Sequence, residues 1–449
     1  MSVYSTSLRT QLIDPQFHSQ DRCEFRLDNR GQSYMPTMRI GNLGLSKSAN
    51  HNNEYNAGAG ALGIISRIRL MDGNEELDSL RNVAQWMTFK NALKTNSQNT
   101  SVFNQLDGNR QGKVYGAPSG FLEMAASKRI REGQADTLTT LDLRECFPFL
   151  NSISHLSTKL FENLRVVIEY VPTVKTSQGK MVQNTGGTHV ANLVKTLPVL
   201  IVDEIEDEAL VATLDRQMTS ASWVSVMHDQ ANLPVVPKVT AYAEQAVQRV
   251  QLRINGFLNK TVSRMMIAKT YENPLHDLDG VQVRALGGNG SKALFKESIN
   301  MRVNGGNIVA GNGLDSPAQI QGMLSDTWGS ITTTPFANQQ SVGTDQPYAA
   351  AGPLNTIGIT PTVPSVLLEA PAGDGTGPQA GYEISNSSWI GLPIHSRVSD
   401  MSFDIGRTGT FSDGTNSSRG NFQALNIHFF AEVARGMTVS DGSYKIFDA

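Results

Sequence analysis

The chain has 449 residues, of which 39% are apolar and 18% charged, and its formal net charge is -3 at pH 7. So little charge excludes a chain held open by self-repulsion, and so even a balance excludes the broad basic field that grips nucleic acid. One core cannot serve this length; two large β domains, or three ordinary ones, can.

Two cysteines, Cys23 and Cys146, stand far apart and form no CxxC pair. A disulfide framework and a four-cysteine zinc site within the chain are therefore not expected, and folding in a reducing cytoplasm fits. The opening MSVYSTSLRTQLIDPQF lacks a charged-then-apolar signal pattern. The longest aliphatic run, LPVLIV at 197–202, is too short to span a bilayer, so a soluble chain is expected.

In chain order, the polar segment 1–20 reads as an N-terminal arm reaching a neighbour or the inner side of an assembly. GALGIISRIRLMDG then places Leu62, Ile64, Ile68 and Leu70 on one face and Arg67 and Arg69 on the other. Asn74 is expected to cap a helix over EELDSLRNVAQWMTFKNAL, with Glu75 and Glu76 in its first turn and Leu77, Leu80, Ala84 and Met87 as its apolar stripe. LDLRECFPFLNSISHLSTKLFENLRVVIEY carries an apolar strand, a polar patch and a second strand with Leu164, Val166, Ile168 and Tyr170 on one side. The strand VLIVDE is followed by a short helix opened by Glu206, Asp207 and Glu208, whose acids suit a helix N-terminus better than a metal.

VQRVQLRING places Val250, Leu252 and Ile254 inward, and LNIHFFAEV sends Leu425, Ile427, Phe429, Ala431 and Val433 inward with Asn426, His428 and Glu432 toward water. One apolar and one wet face is the reading of an antiparallel sheet in a sandwich. Residues 285–315 and 331–382, and more briefly 172–190, are dense in Gly, Asn, Thr or Pro and read as long loops. RIRLMDG pairs with QLRING, and LRVVIEYV with LNIHFFAEV, as the weak echo of two similar sandwiches divided near 205–232.

Motifs for chemistry are thin. GGNGSK at 287–292 puts Ser291 before Lys292, against the order a phosphate loop requires, and reads as a turn. DGNEELD at 72–78 has its Gly in the wrong place for a calcium hand. His276 beside Asp277 and Asp279 reads as a solvated turn, and no histidine pair has zinc spacing. No GxSxG elbow occurs. Asn99, Asn259, Asn289, Asn386 and Asn416 each begin an N-x-[ST] match, read as chance in Asn- and Ser-rich loops. No catalytic, cofactor-binding or metal-binding residue is assigned.

Four segments carry a resemblance. The 141–170 stretch, with Leu143, Phe147, Pro148 and Phe149 leading into a helical excursion and Leu164 to Tyr170 returning, resembles double jelly-roll major capsid proteins of virophages, polinton-like viruses, large DNA viruses and tailless phages. LPVLIVDEIEDEALVATLDR is similar to that family's last strand of the first roll and its following helix, RVQLRINGFLNK to an early strand pair of the second, and LNIHFFAEVARGMTVSDGSYKI to the closing strand. The resemblance implies an all-β chain of two tandem eight-stranded antiparallel jelly rolls with few short helices and long loops. Its divisions would be an arm (1–20), a first roll (21–205), a linker with a short helix (206–232) and a second roll (233–449). It further implies a homotrimer forming a pseudo-hexagonal capsomer in an icosahedral virion shell, made in the host cytoplasm. Its partners would be neighbouring capsomers, penton and minor capsid proteins and, where the virion has one, an internal membrane, with no specific nucleic-acid binding, cofactor or metal. Phe149, Ile168, Leu252, Ile254 and Phe429 are expected core residues. The alternatives are a minor or vertex capsid protein, which needs one roll only, a carbohydrate-binding sandwich, disfavoured by the wide spread of Trp86, Trp223, Trp328 and Trp389, and an enzyme with an unfamiliar site.

Overall fold

The structure, a computed structural model, describes residues 8–27, 31–47, 53–55, 62, 64–94, 139–171, 182–184, 193–233, 245–271, 295–309, 313–314, 317–329, 389–410, 425–440 and 442–448. Within these the chain is built from antiparallel strands with few helices, none long and apolar enough to cross a membrane.

The first half contains β1 (Leu8–Ile13), β2 (Phe17–His18), β3 (Arg22–Arg26), β4 (Ser33–Tyr34), β5 (Arg39–Leu43), β6 (Leu45–Lys47), β7 (Asn53–Tyr55), β8 (Ile65–Asp72) and β9 (Glu75–Arg81). Helix α1 (Val83–Lys94) follows. Then come β10 (Thr139–Asp142), a helical turn at Phe149–Ser152, β11 (Leu156–Ser157), β12 (Leu164–Tyr170), β13 (Val182–Asn184), β14 (Leu193–Lys195) and β15 (Val199–Ile205). Helix α2 (Glu208–Gln217) leads to the second half, capped by Asp207, whose carboxylate accepts from the backbone N–H of Ala209 and Leu210. That half contains β16 (Ser220–Leu233), β17 (Gln245–Arg253), β18 (Thr261–Tyr271), β19 (Phe295–Val303), β20 (Gly306–Asn307), helix α3 (Pro317–Trp328), β21 (Trp389–Arg397), β22 (Met401–Thr410), β23 (Leu425–Ser440) and β24 (Ser443–Asp448).

Taking eight principal strands from each half, the order is the same twice. In the first sandwich one sheet runs β1-β15-β5-β10 and the other β3-β12-β8-β9; in the second they run β16-β23-β18-β21 and β17-β22-β19-β20. Counted along each half, both are first-eighth-third-sixth facing second-seventh-fourth-fifth, which is a jelly roll. Each half also inserts its helix, α1 or α3, between its fifth and sixth strands. The alternation read from sequence supplies the cores: Ile68, Leu70, Leu164, Val166 and Ile168 are buried in the first, and Ile427, Phe429, Ala431 and Val433 in the second.

Several expectations are corrected. Glu75–Arg81 is strand rather than helix, joined to β8 by a tight turn with Gly73 at φ 58°, and α1 begins only after Asn82. Pairing with β8 buries Leu77 and Leu80 better than a surface helix would, and the Asp-Gly pair was the available hairpin signal. The segment 285–315 is not one long loop, because it holds β19 and β20, joined at Asn304 and Gly305 with φ 53° and 79°. The expected arm holds β1, which pairs with β15, and the expected linker holds β16, which pairs along its full length with β23. β1 and β16 are edge strands, each paired with a neighbour on one side. The echo also matched the wrong strands. LRVVIEYV (β12) is seventh in its roll and LNIHFFAEV (β23) eighth; RIRLMDG (β8) is fourth and QLRING (β17) second. Half-buried strands share a pattern whatever their place, so alternation cannot number them. RVQLRINGFLNK ends β17 and leads into β18, and these two strands lie in opposite sheets rather than pairing with each other. The stretch 331–382 lies outside the described residues, as does 172–190 apart from β13.

Candidate functional site

Among the described residues, aromatic contacts and enclosed polar groups gather on the seam between the two sandwiches. It forms because one sheet of the second sandwich turns its outer face toward the first. Along β23, Phe429 and Val433 point into their own core, while His428 and Phe430, on the side expected to be wet, are buried as well. From β18, Met266 and Ala268 join them. The covering layer comes from α1 and α3. The Trp86 ring stacks on Phe430 with centroids 5.6 Å apart, and Trp328 meets Trp86 and Phe89 edge-on at 5.7 and 5.2 Å. Beside them Arg264 lies 3.9 Å over the Trp328 ring while its guanidinium grips Glu432.

Helix α3 can approach so closely because β21 has Gly391 beneath it; a Cβ there would sit 2.7 Å from Trp328 Cδ1 and 2.9 Å from Leu324 Cα. At the other end of the seam, Phe149 meets Trp223 at 5.0 Å and Phe161 meets Tyr444 at 5.1 Å. The Tyr444 hydroxyl donates to Asp72 Oδ2 at 2.8 Å, tying the C-terminal hairpin of the second sandwich to the β8–β9 turn of the first.

Polar groups are enclosed in this seam. Asp78 on β9 is fully buried; it accepts from the Ser225 hydroxyl at 2.7 Å and the Phe149 N–H at 3.0 Å. Burial pushes its carboxyl up to about 6, against the pull of those donors and of Arg435. His228 on β16 stands 2.9 Å from the Asn82 amide and 3.1 Å from His428 Nδ1. Burial holds its imidazole down at about 4, with Asp229 opposing and Arg81 assisting. A groove of about 390 Å³ opens over these groups. Its charges are largely paired within its walls, Arg67 with Glu76 and Lys260 with Asp448. The geometry binds two bodies together.

Residues singled out from sequence fall partly in this seam and partly elsewhere. Phe149, Ile168, Ile254 and Phe429 are buried as expected, and Leu252 is partly buried against the second core. Asp72 and Gly73 form the hairpin turn, with Asp72 accepting from the Asn163 N–H. Cys23 and Cys146 are buried and in no disulfide, the Cys23 thiol pushed up to about 12 chiefly by burial. Trp86 and Trp223 are buried in the seam rather than displayed as a sugar platform. His276, Asp277, Asp279 and the 287–292 turn lie outside the described residues, as do all the N-x-[ST] asparagines except Asn259. Among the described residues no group of three or more His, Cys, Asp or Glu could hold a metal ion. The seam residues escaped the sequence reading because Trp86, Trp223 and His428 look like ordinary positions of an amphipathic element until a second body covers them.

No family model matches the chain, and no curated protein matches it. Solved structures do. A chain of the PBCV-1 virus capsid is similar over 100% of this chain and 99% of its own, with a TM-score of 0.53 and 13% identity. The mavirus major capsid protein is similar over 100% and 91%, with a TM-score of 0.52 and 8% identity. A chain of the Sputnik virophage is similar over 100% and 89%, with a TM-score of 0.54 and 8% identity. The chain thus has the double jelly-roll fold, as the resemblance implied, and shares it end to end with these viral proteins.

Proposed function

We propose that the chain is a major capsid protein whose homotrimer forms a pseudo-hexagonal capsomer in an icosahedral shell. The observation that carries this is the duplicated jelly roll in one chain, overlaid along its full length on the mavirus major capsid protein and the PBCV-1 capsid chain. Two rolls of one topology per copy give six similar bodies from three copies, and strand walls rather than pockets are the surfaces such tiling uses. The role is structural and not enzymatic, and needs no cofactor or metal. The first roll is assigned to residues 8–205 and the second to 220–448, with α2 between them. Neighbouring capsomers, penton and minor capsid proteins are the partners, with an internal membrane where the virion has one and no specific nucleic-acid contact; the site of action is the virion, after synthesis in the host cytoplasm.

Size-exclusion chromatography with light scattering of the expressed chain gives a trimer that survives dilution, and negative-stain images give pseudo-hexagonal outlines. A monomer at every concentration overturns the proposal, and saturable sugar binding by that monomer moves the chain to the lectin-like reading.

A further inference from the structure

Charge is not spread evenly over the first sandwich. On the outer face of its β3-β12-β8-β9 sheet, β3 carries Arg22, Glu24 and Arg26, and β12 carries Arg165 and Glu169. Beside them β8 adds Arg67 and Arg69, and β9 adds Glu76 and Arg81. Six guanidiniums thus stand against three carboxylates, on a chain whose formal net charge is -3. Ion pairs use up the carboxylates: Glu24 takes Arg22 and Arg165, Glu169 takes Arg69, and Glu76 takes Arg67. Arg26 and Arg81 are exposed and have no ion pair among the described residues.

The pairing register sharpens the imbalance. Arg26 lies directly opposite Arg165, and Arg81 directly opposite Arg67. Like charges in directly opposed cross-strand positions destabilise a sheet. The flanking glutamates offset that cost for Arg165 and Arg67 only. A local rule broken twice on one face marks a functional surface. At β9 the face runs into the groove of the seam, whose walls include Arg67, Glu76 and Arg81 from this sheet and Lys260 and Arg435 from the second sandwich.

We infer that this face docks an acidic polypeptide segment of another protein, laid across the strands so that its carboxylates bridge Arg26 with Arg165 and Arg81 with Arg67. Charge complementarity names the chemistry. Every cation on the face is arginine, whose planar fork binds a carboxylate through two parallel hydrogen bonds. The interleaved Glu24, Glu169 and Glu76 repel a uniform polyanion such as a nucleic-acid backbone or a sulfated polysaccharide. A segment of mixed charge with an acidic balance matches both signs. The face lies within a single copy, so the inference goes beyond the capsomer proposal and holds whether or not the chain forms a trimer.

Fluorescence anisotropy of a labelled peptide rich in glutamate, with lysine interspersed, tests this on the full chain. Saturable binding that weakens as salt is raised is expected. Arg26→Glu/Arg81→Glu is expected to weaken it by about tenfold or more. Arg216→Glu/Lys445→Glu, an equal change of charge at exposed positions outside the face, is the control that leaves binding unchanged. The first double variant also turns two like-charge pairs into opposite-charge pairs, so its melting temperature is expected to equal or exceed that of the unaltered chain. That readout separates lost binding from lost folding. No binding by the unaltered chain, or equal binding by the Arg26/Arg81 variant, overturns the inference. Two further results overturn the choice of partner: a heparin fragment that binds more tightly than the peptide and is lost in the same variant assigns the face to a polyanion, and a changed oligomeric state of that variant in light scattering assigns it to a second copy of the chain.

Discussion

Asp78 and His228 show how one buried seam holds two groups with opposed responses to pH. His228 is lowered from 6.5 to about 4, so the seam gives up stability as pH falls through that window. Asp78 is raised from 3.8 to about 6, so its contribution is present below about 3.8 and is lost as pH rises through about 6. The two shifts are similar in size, on the order of 3 kcal/mol each, and largely cancel between pH 4 and 6. Asp78→Asn is expected to leave stability falling as pH falls across this range, and His228→Gln to leave it rising as pH falls. Urea unfolding at a series of pH values reads both; parallel slopes in the two variants would contradict the assignment. The residues expected to form the core were legible at this scale, because alternation reports which side chains leave water. The charged and imidazole groups of the seam were not, since a histidine among polar neighbours reads as solvated until another body removes the water.

At the scale of elements, two glycines at first sight alike differ in consequence. Gly391 lies under Leu324 Cα and the Trp328 ring, so Gly391→Ala must displace α3 and costs about 1–3 kcal/mol. Gly436 would meet only the ring end of Phe447, a side chain 44% exposed and free to swing outward, so Gly436→Ala costs about 0.5 kcal/mol or less. Thermal melts of the two single variants separate these outcomes; equal losses would show that α3 yields as easily as one ring. Elements with local signals were readable: α2 with its Asp207 cap, and β12 and β23 by alternation. The helix read over Glu75–Arg81 failed because Leu77 and Leu80 have helical spacing, which the strand accommodates by a register shift that leaves Leu77 out of the pairing with β8.

For the whole molecule, the first core is continuous across the seam: Phe430, Met266 and Met437 of the second sandwich sit in one cluster with Trp86, Phe89 and Phe149 of the first. The two rolls are therefore expected to unfold as one, giving a single calorimetric transition. Trp86→Ala, which empties the centre of that cluster at a cost of about 3–5 kcal/mol, is expected to split it in two. Two transitions in the unaltered chain would show the seam to be weaker than its packing indicates. Sequence alone determined that this protein is all-β and has too few cysteines for a disulfide framework, because period-two burial, turn chemistry and cysteine spacing can be read along the chain. Only the tertiary structure decided which strands correspond, that β1 and β16 belong to the sheets, and that the outer side of β23 is dry. Those are facts of pairing between distant segments, and one strand's own residues do not say what will lie against it.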